Sequence, residues 1–179
     1  MKDPAKLSHL ELAAFVCDHL RASGIDTVLT GGACVTIYTR NRYESYDLDF
    51  VNVAAVSLAK IETALLLIGF VPDGRIYVNN KVKYSIDILD PPLSIGEEKI
   101  IGTHLITIKK MQLKLLTATD SVRDRLAAFY FWKDLQALEQ ALMVARDNEV
   151  DLAKIKNWSK REGELEKFKV FLKKVQEKS

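Results

Sequence analysis

The chain has 179 residues, 48% hydrophobic and 28% charged, with 26 basic against 24 acidic side chains for a formal net charge of +2. That length supports one well-buried core with room for a small helical appendage, and the composition is that of an ordinary soluble globular protein. A charge this small does not announce nucleic-acid binding, the scattered His9, His19 and His104 have no zinc-ligand spacing, and the longest apolar run, Ala64 to Ile68, is far too short to span a bilayer.

In chain order, Lys2-Asp3-Pro4 leads into an amphipathic segment and not into an apolar signal sequence. Ser8-His9-Leu10-Glu11 fits a capping box. The helix it opens carries Leu10, Leu12, Phe15, Val16 and Leu20 and stops near Gly24. Thr27 to Thr30 reads as a short buried strand, Gly31-Gly32 as a turn, and Ala33 to Thr39 as a short helix. Cys17 and Cys34 form no CxxC pair and read as reduced core thiols, so a cytoplasmic protein is expected. Asp47 to Val51 is a second short strand, and 56 to 68 an apolar helix ended by Gly69.

Strand-like stretches follow at Arg75 to Val78 and Val82 to Leu89, with Asn79-Asn80 turning between them and Pro91-Pro92 breaking the second. Ile100-Ile101, Leu105 to Ile108 and Leu113 to Leu116 are further strand candidates. From Thr119 onward only helical patterns remain, with Thr119 or Asp120 as the first cap. One apolar stripe runs through Leu126, Tyr130, Leu135, Leu138, Ala141, Leu142 and Ala145, and a last helix buries Leu165, Phe168, Phe171, Leu172 and Val175. The pattern is an α+β core over 1–116 followed by a helical region over 117–179 packed on it. Residues 151 to 179 hold nine Lys/Arg, Lys178 among them, against five acids. A solvated helix face accounts for that excess better than a polyanion patch.

The chemistry-bearing residues lie in the first half. Asp47 and Asp49 leave the same face of one strand, roughly 6 to 7 Å apart at their roots, downstream of a glycine pair that follows another strand. Apolar Leu48, Phe50 and Val51 imply that the acids are fixed on a packed element. Two such acids repel unless a positive charge lies between them, and a divalent metal is the natural neutraliser. Alternation in Lys83 to Leu89 puts Ser85 and Asp87 on one face and Tyr84, Ile86 and Ile88 on the other. Asp87 would complete a three-carboxylate cage for Mg²⁺ or Mn²⁺, the arrangement used for in-line phosphoryl displacement; an edge-strand Asp facing water is the competing reading. Asp90 abuts Pro91 at a strand end, where a structural role fits better.

Gly31-Gly32, then Asp47-Leu48-Asp49-Phe50 and a later Ile86-Asp87-Ile88, resemble the DNA polymerase β-like nucleotidyltransferase superfamily. Its pattern is a glycine-rich turn opening a short helix, a DxD/E strand, and a third acid on a neighbouring strand. The run Asp120 to Tyr130 with Trp132-Lys133-Asp134 is similar to the helical region of small bacterial nucleotidyltransferase-fold proteins and, more loosely, to abortive-infection-type toxins. The resemblance implies an α+β nucleotidyltransferase fold, a small mixed sheet flanked by helices with a C-terminal helical bundle. It implies metal binding by Asp47, Asp49 and Asp87, activation of the attacking hydroxyl by Asp87, and contact of Gly31 and Gly32 with an NTP. Thr30, Ser45, Arg125, Lys133 and Asp134 are the further nucleotide-binding candidates.

The implied activity moves an NMP from an NTP to a hydroxyl on RNA, protein or a small molecule, a toxin–antitoxin role and a protein partner being versions of it. The alternative is a catalytically weak binding protein of the same fold. Family members often carry Ser directly after the first glycine; here Gly32 and Ala33 follow, so backbone N–H groups would have to serve. Arg123 and Arg125 stand where toxin-like members show Lys. Arg40 and Arg42 fit either a solvated loop or a triphosphate, and Tyr43 and Tyr46 fit either local packing or a base. In the block Phe129-Tyr130-Phe131-Trp132, helical spacing cannot turn all four rings inward. A DxD glycosyltransferase is set aside because the chain is short and the acids come early.

Overall fold

The structure, a computed structural model, describes residues 3–177; Lys2 and Lys178 of the sequence reading lie outside them. Helix α1 (His9–Ala22) opens on the expected capping box: Glu11 N–H donates to Ser8 Oγ at 3.4 Å and Ser8 N–H to Glu11 Oε2 at 2.9 Å. Strand β1 (Thr27–Thr30) runs directly into α2 (Gly31–Tyr38), which begins two residues earlier than the sequence suggests. The glycine pair is thus the first turn of the helix and not a separate loop. Strand β2 (Asp47–Asn52) and helix α3 (Leu58–Leu67) follow where expected.

The next segment is more strand-rich than its composition advertises. Strands β3 (Val71–Asp73) and β4 (Ile76–Val78) form a hairpin around Gly74, and β5 (Ser85–Leu89) pairs with β4. All three β3 residues are exposed and one is Pro72, the profile of a short edge strand that periodicity cannot detect. Ile100-Ile101 is not a strand; a small hairpin of β6 (Ser94–Ile95) and β7 (Glu98–Lys99) precedes it. Strands β8 (His104–Ile108) and β9 (Met111–Leu115) complete the sheet.

The seven-stranded sheet has the order β3-β4-β5-β2-β1-β9-β8. The β1–β2 pair is antiparallel, while β2–β5 and β1–β9 are parallel, so the sheet is mixed at its centre. Helix α1 packs on β1 and β9 and against α3; α2 packs on β1 and β2. Leu48 and Phe50 alternate with Asp47 and Asp49 along β2 and are fully buried, each such side chain contributing about 1.5–3 kcal/mol. Both cysteines are buried and free, and burial pushes both thiols up, which suits inert core residues.

Four helices follow: α4 (Ala118–Trp132), α5 (Leu135–Asp147), α6 (Leu152–Arg161) and α7 (Leu165–Gln176). The cap of α4 is Thr117, not Thr119 or Asp120, its hydroxyl accepting from Asp120 N–H at 3.1 Å. The continuous apolar stripe breaks at Lys133, whose left-handed φ of 55° ends α4, and Asp134 caps α5. Helices α4 and α5 pack on α2, so the helical region shares one hydrophobic core with the sheet. Tyr130 is buried while Phe131 and Trp132 are exposed, so the aromatic block divides as helical spacing requires. Among the described residues no helix is long and apolar enough to cross a membrane.

Arg123 anchors this arrangement. It is fully buried, with Nη1 2.8 Å from Asp120 Oδ1, Nη2 2.8 Å from Glu98 Oε1, and its guanidinium 5.1 Å from the Trp158 ring centroid. Burial works to raise the Asp120 carboxyl, but hydrogen bonds from Lys154, Arg123 and Thr117 hold it below its usual range. Removing one member of a buried ionic cluster strands the others in low dielectric. Arg123→Met is therefore expected to cost about 3 kcal/mol or more in chemical denaturation.

His9 gives a pH signature. Its ring packs edge-on to Tyr84 at 5.0 Å, both nitrogens are buried without hydrogen-bond partners among the described residues, and burial pulls its pKa down to about 4, with Glu44 opposing and Lys83 reinforcing. Between pH 6.5 and about 4 the unfolded chain takes up a proton that the native protein refuses. Stability is complete above that window and declines as pH falls through it, by about 2–3 kcal/mol. His9→Phe should flatten that part of the stability profile measured by urea melts across pH.

Candidate active site

The parallel register of β2 and β5 sets Asp47 opposite Ser85 and Asp49 opposite Asp87, so the three acids and one hydroxyl leave the same face of two adjacent strands. The turn from β1 into α2 lies against that face. Gly31 has φ +66°, and a Cβ there would sit 3.1 Å from Asp49 Cγ and closer still to Oδ2. Only glycine satisfies both constraints. At Gly32 a Cβ would lie 3.0 Å from Ser45 Oγ and 3.2 Å from Ser45 Cβ. Ser45 thus fills the space that a serine in the glycine turn would need, which is the local reason for glycine there.

Asp49 is the most perturbed of the three. Burial, then the neighbouring charges of Asp47 and Asp87, push its pKa up to about 6; Arg125 works against them. Arg125 projects from α4, holding Asp124 through Nη2 at 2.6 Å and approaching Gln140 Oε1 at 3.4 Å. Asp47 is exposed at the strand start and accepts a short hydrogen bond from the Ser85 hydroxyl. Asp87 is 18% exposed, with Arg75 Nε 3.7 Å from its Oδ2, while its Oδ1 is buried without a partner.

Other sequence candidates take supporting positions. Thr30 donates its hydroxyl to the Asp49 carbonyl at 3.3 Å, and Ser45 donates to the Asp47 carbonyl at 3.1 Å, so both brace β2. Asp134 accepts from Ala137 N–H at 3.0 Å as a helix cap, and exposed Lys133 occupies the adjoining turn. Tyr43 lies among these groups: burial raises its pKa, Arg125 lowers it, and Asp134, Asp47 and Asp49 raise it. Arg123 is committed to the core, and Arg42 to an ion pair with Asp147. Ser85 and Arg75 had no assigned role in the sequence reading. Ser85 was legible from strand alternation; Arg75 was not, because it depends on the unrecognised β3–β4 hairpin.

Hard divalent cations take oxygen ligands, and the orphaned Asp87 oxygen together with the repelling Asp49 suits one. Among the described residues, no group of three or more His, Cys, Asp or Glu side chains converges closely enough to hold a metal by itself. Asp47 accepts from Ser85, and Asp87 has Arg75 beside it. Magnesium does not require a finished protein cage, since one or two carboxylates, waters and substrate phosphates commonly complete its shell.

The chain matches no protein-family model and no curated protein sequence. In solved structures it is similar to an antigenic nucleotidyltransferase-like protein from Paracoccidioides brasiliensis, with a TM-score of 0.55 at 14% identity over 79% of this chain and 75% of that one. The likeness establishes a nucleotidyltransferase-like α+β fold, and this chain ends in four helices.

The raised pKa of Asp49 is a cost to stability. A carboxyl with a raised native pKa favours unfolding once the unfolded chain ionises, so the penalty grows from pH 3.8 and is complete above about 6. Asp49→Asn is expected to raise unfolding free energy at neutral pH by about 1–3 kcal/mol, with little gain below pH 4. Gly31→Ala is expected to lower it by about 1–3 kcal/mol through the left-handed backbone, and to displace the Asp49 carboxylate besides. Calorimetric or urea melts of both variants across pH check the two signs.

Proposed function

We propose that this protein is a divalent-metal-dependent nucleotidyltransferase that moves a nucleoside monophosphate from an NTP onto a hydroxyl acceptor. The observation that carries the reading is the placement of Asp47, Asp49 and Asp87 on one face of the paired strands β2 and β5, beside a turn whose Gly31 leaves no space for a side chain. Asp47, Asp49 and Asp87 are the residues that would hold Mg²⁺ or Mn²⁺, whose chemistry is to neutralise charge on the triphosphate and polarise it for displacement.

The chain's own groups account for the remaining work. The first N–H groups of α2, at the buried Gly31 and Gly32, have no intrahelical partners and are the backbone donors that a phosphate at this turn would use. Arg125 adds a fixed positive charge on the α4 side of the acids, and the half-buried Tyr43 offers a ring beside it. Asp87, opposite Asp49 on the acid face, holds the acceptor hydroxyl and receives its proton. The acceptor oxygen bonds to the α-phosphorus, the bond to the bridging oxygen breaks, and pyrophosphate leaves with the electron pair.

A second reading, an NTP-binding protein of this fold without efficient transfer, draws support from the separation of the carboxylates and the engagement of Asp47 by Ser85. One experiment separates the two. The protein is incubated with each α-³²P-labelled NTP, Mg²⁺ or Mn²⁺, and total RNA or cell lysate. Transfer of label that falls at least about a hundredfold in Asp47→Ala and Asp49→Ala supports the enzyme. Calorimetric NTP binding without any transfer selects the second reading, and neither binding nor transfer rejects both. Arg125→Met is expected to weaken NTP binding about tenfold, as loss of a charge-assisted phosphate contact.

A further inference from the structure

Arg75 approaches the acid face from the β4 side. It follows Gly74, whose φ is +60° with nothing within 4 Å of a built Cβ, at the tip of the β3–β4 hairpin. The antiparallel ladder sets Ile76 opposite Asp87, so the backbone beside Arg75 is tied to the third acid. The side chain itself is 78% exposed, and its Nε stands 3.7 Å from Asp87 Oδ2, beyond hydrogen-bond distance. Among the described residues, Arg75 is the only basic side chain in an ion pair with any of the three acids. Exposed pairs of this kind hold weakly and exchange readily, and this one leaves Asp87 Oδ1 without a partner.

The acid face is therefore asymmetric. On one side Asp49 meets the glycine turn and Arg125, and both are largely buried. On the other, Asp87 meets an exposed arginine on a hairpin at the sheet edge. We propose that Arg75 is a displaceable counter-ion of Asp87 that yields to a divalent cation and then holds a phosphate on the acceptor. This rests on the nucleotidyl-transfer reading of the site and adds a substrate class to it: an acceptor with a phosphate beside its attacking hydroxyl, either a free nucleotide or a polynucleotide end. A guanidinium freed from the third acid stays tethered on the side away from the glycine turn. Its planar fork of donors matches phosphate, which a neutral acceptor would leave unused.

The test uses the full chain in four forms: wild type, Arg75→Gln, Arg75→Lys and Asp87→Asn. Mn²⁺ binding without nucleotide, read by electron paramagnetic resonance, is expected to be about two- to fivefold tighter in Arg75→Gln, the scale of an exposed charge pair. Arg75→Lys should lie near wild type, and Asp87→Asn should be weaker. With Mn²⁺ and a non-hydrolysable NTP analogue present, wild type should bind AMP or the dinucleotide ApA more tightly than adenosine, and Arg75→Gln should lose that preference. Preference for AMP alone indicates a free nucleotide; preference for ApA indicates a chain end. Unchanged or weaker Mn²⁺ binding in Arg75→Gln overturns the proposal, as does a wild type indifferent to acceptor phosphate, while the nucleotidyl-transfer reading stands if Asp87→Asn still loses Mn²⁺. Failure of wild type to bind either Mn²⁺ or NTP overturns both.

Discussion

The candidate site depends on three carboxylates leaving one face of two paired strands. Parallel pairing of β2 with β5 puts Asp49 and Asp87 opposite each other, on strands about 4.8 Å apart. A slip of one residue would turn Asp87 into the apolar layer and bring Ile86 or Ile88 to the acid face. Burial of Ile86, Leu48 and Phe50 on the opposite face holds the register. The core therefore specifies the acid geometry from the opposite face of the sheet.

The C-terminal helices complete that face. Arg123 and Arg125 are two apart on α4, a rotation of about 200°, so they project to opposite sides of the helix. Arg123 lies in the cluster with Asp120, Glu98 and Trp158, while Arg125 bonds Asp124 and Gln140 and lowers the pKa of Asp49. One helix thus locks itself to α6 and the β6–β7 hairpin with one arginine and supplies charge to the acids with the other. Trp158 adds to the clamp by donating its indole N–H to the Ile95 carbonyl at 3.2 Å.

The glycine turn shows how a departure from the resembling pattern is accommodated. Ser45 lies where a side chain at position 32 would extend, and its N–H donates to Thr36 Oγ1 at 2.9 Å within α2. The loop entering β2 is in this way tied to the helix that leaves β1. In the proposed function, backbone N–H groups at the helix start would be the donors to an anion in place of a serine hydroxyl.

Local pattern by itself determined the elements whose signal is periodic or chemical: the capping box at Ser8, the strand Thr27 to Thr30, the DxD strand, the apolar helix after it and the helical C-terminal region. Each is encoded by neighbours within a few residues, through alternation, helical spacing or a cap. It also determined that Asp47 and Asp49 share a face, because strand pleating leaves no other outcome. Only the tertiary structure decided that Asp87 joins them, since parallel pairing across 38 residues has no local signature. The same holds for Arg75, which reaches Asp87 from an exposed hairpin, and for the division of labour between Arg123 and Arg125, which are chemically identical until packing buries one of them.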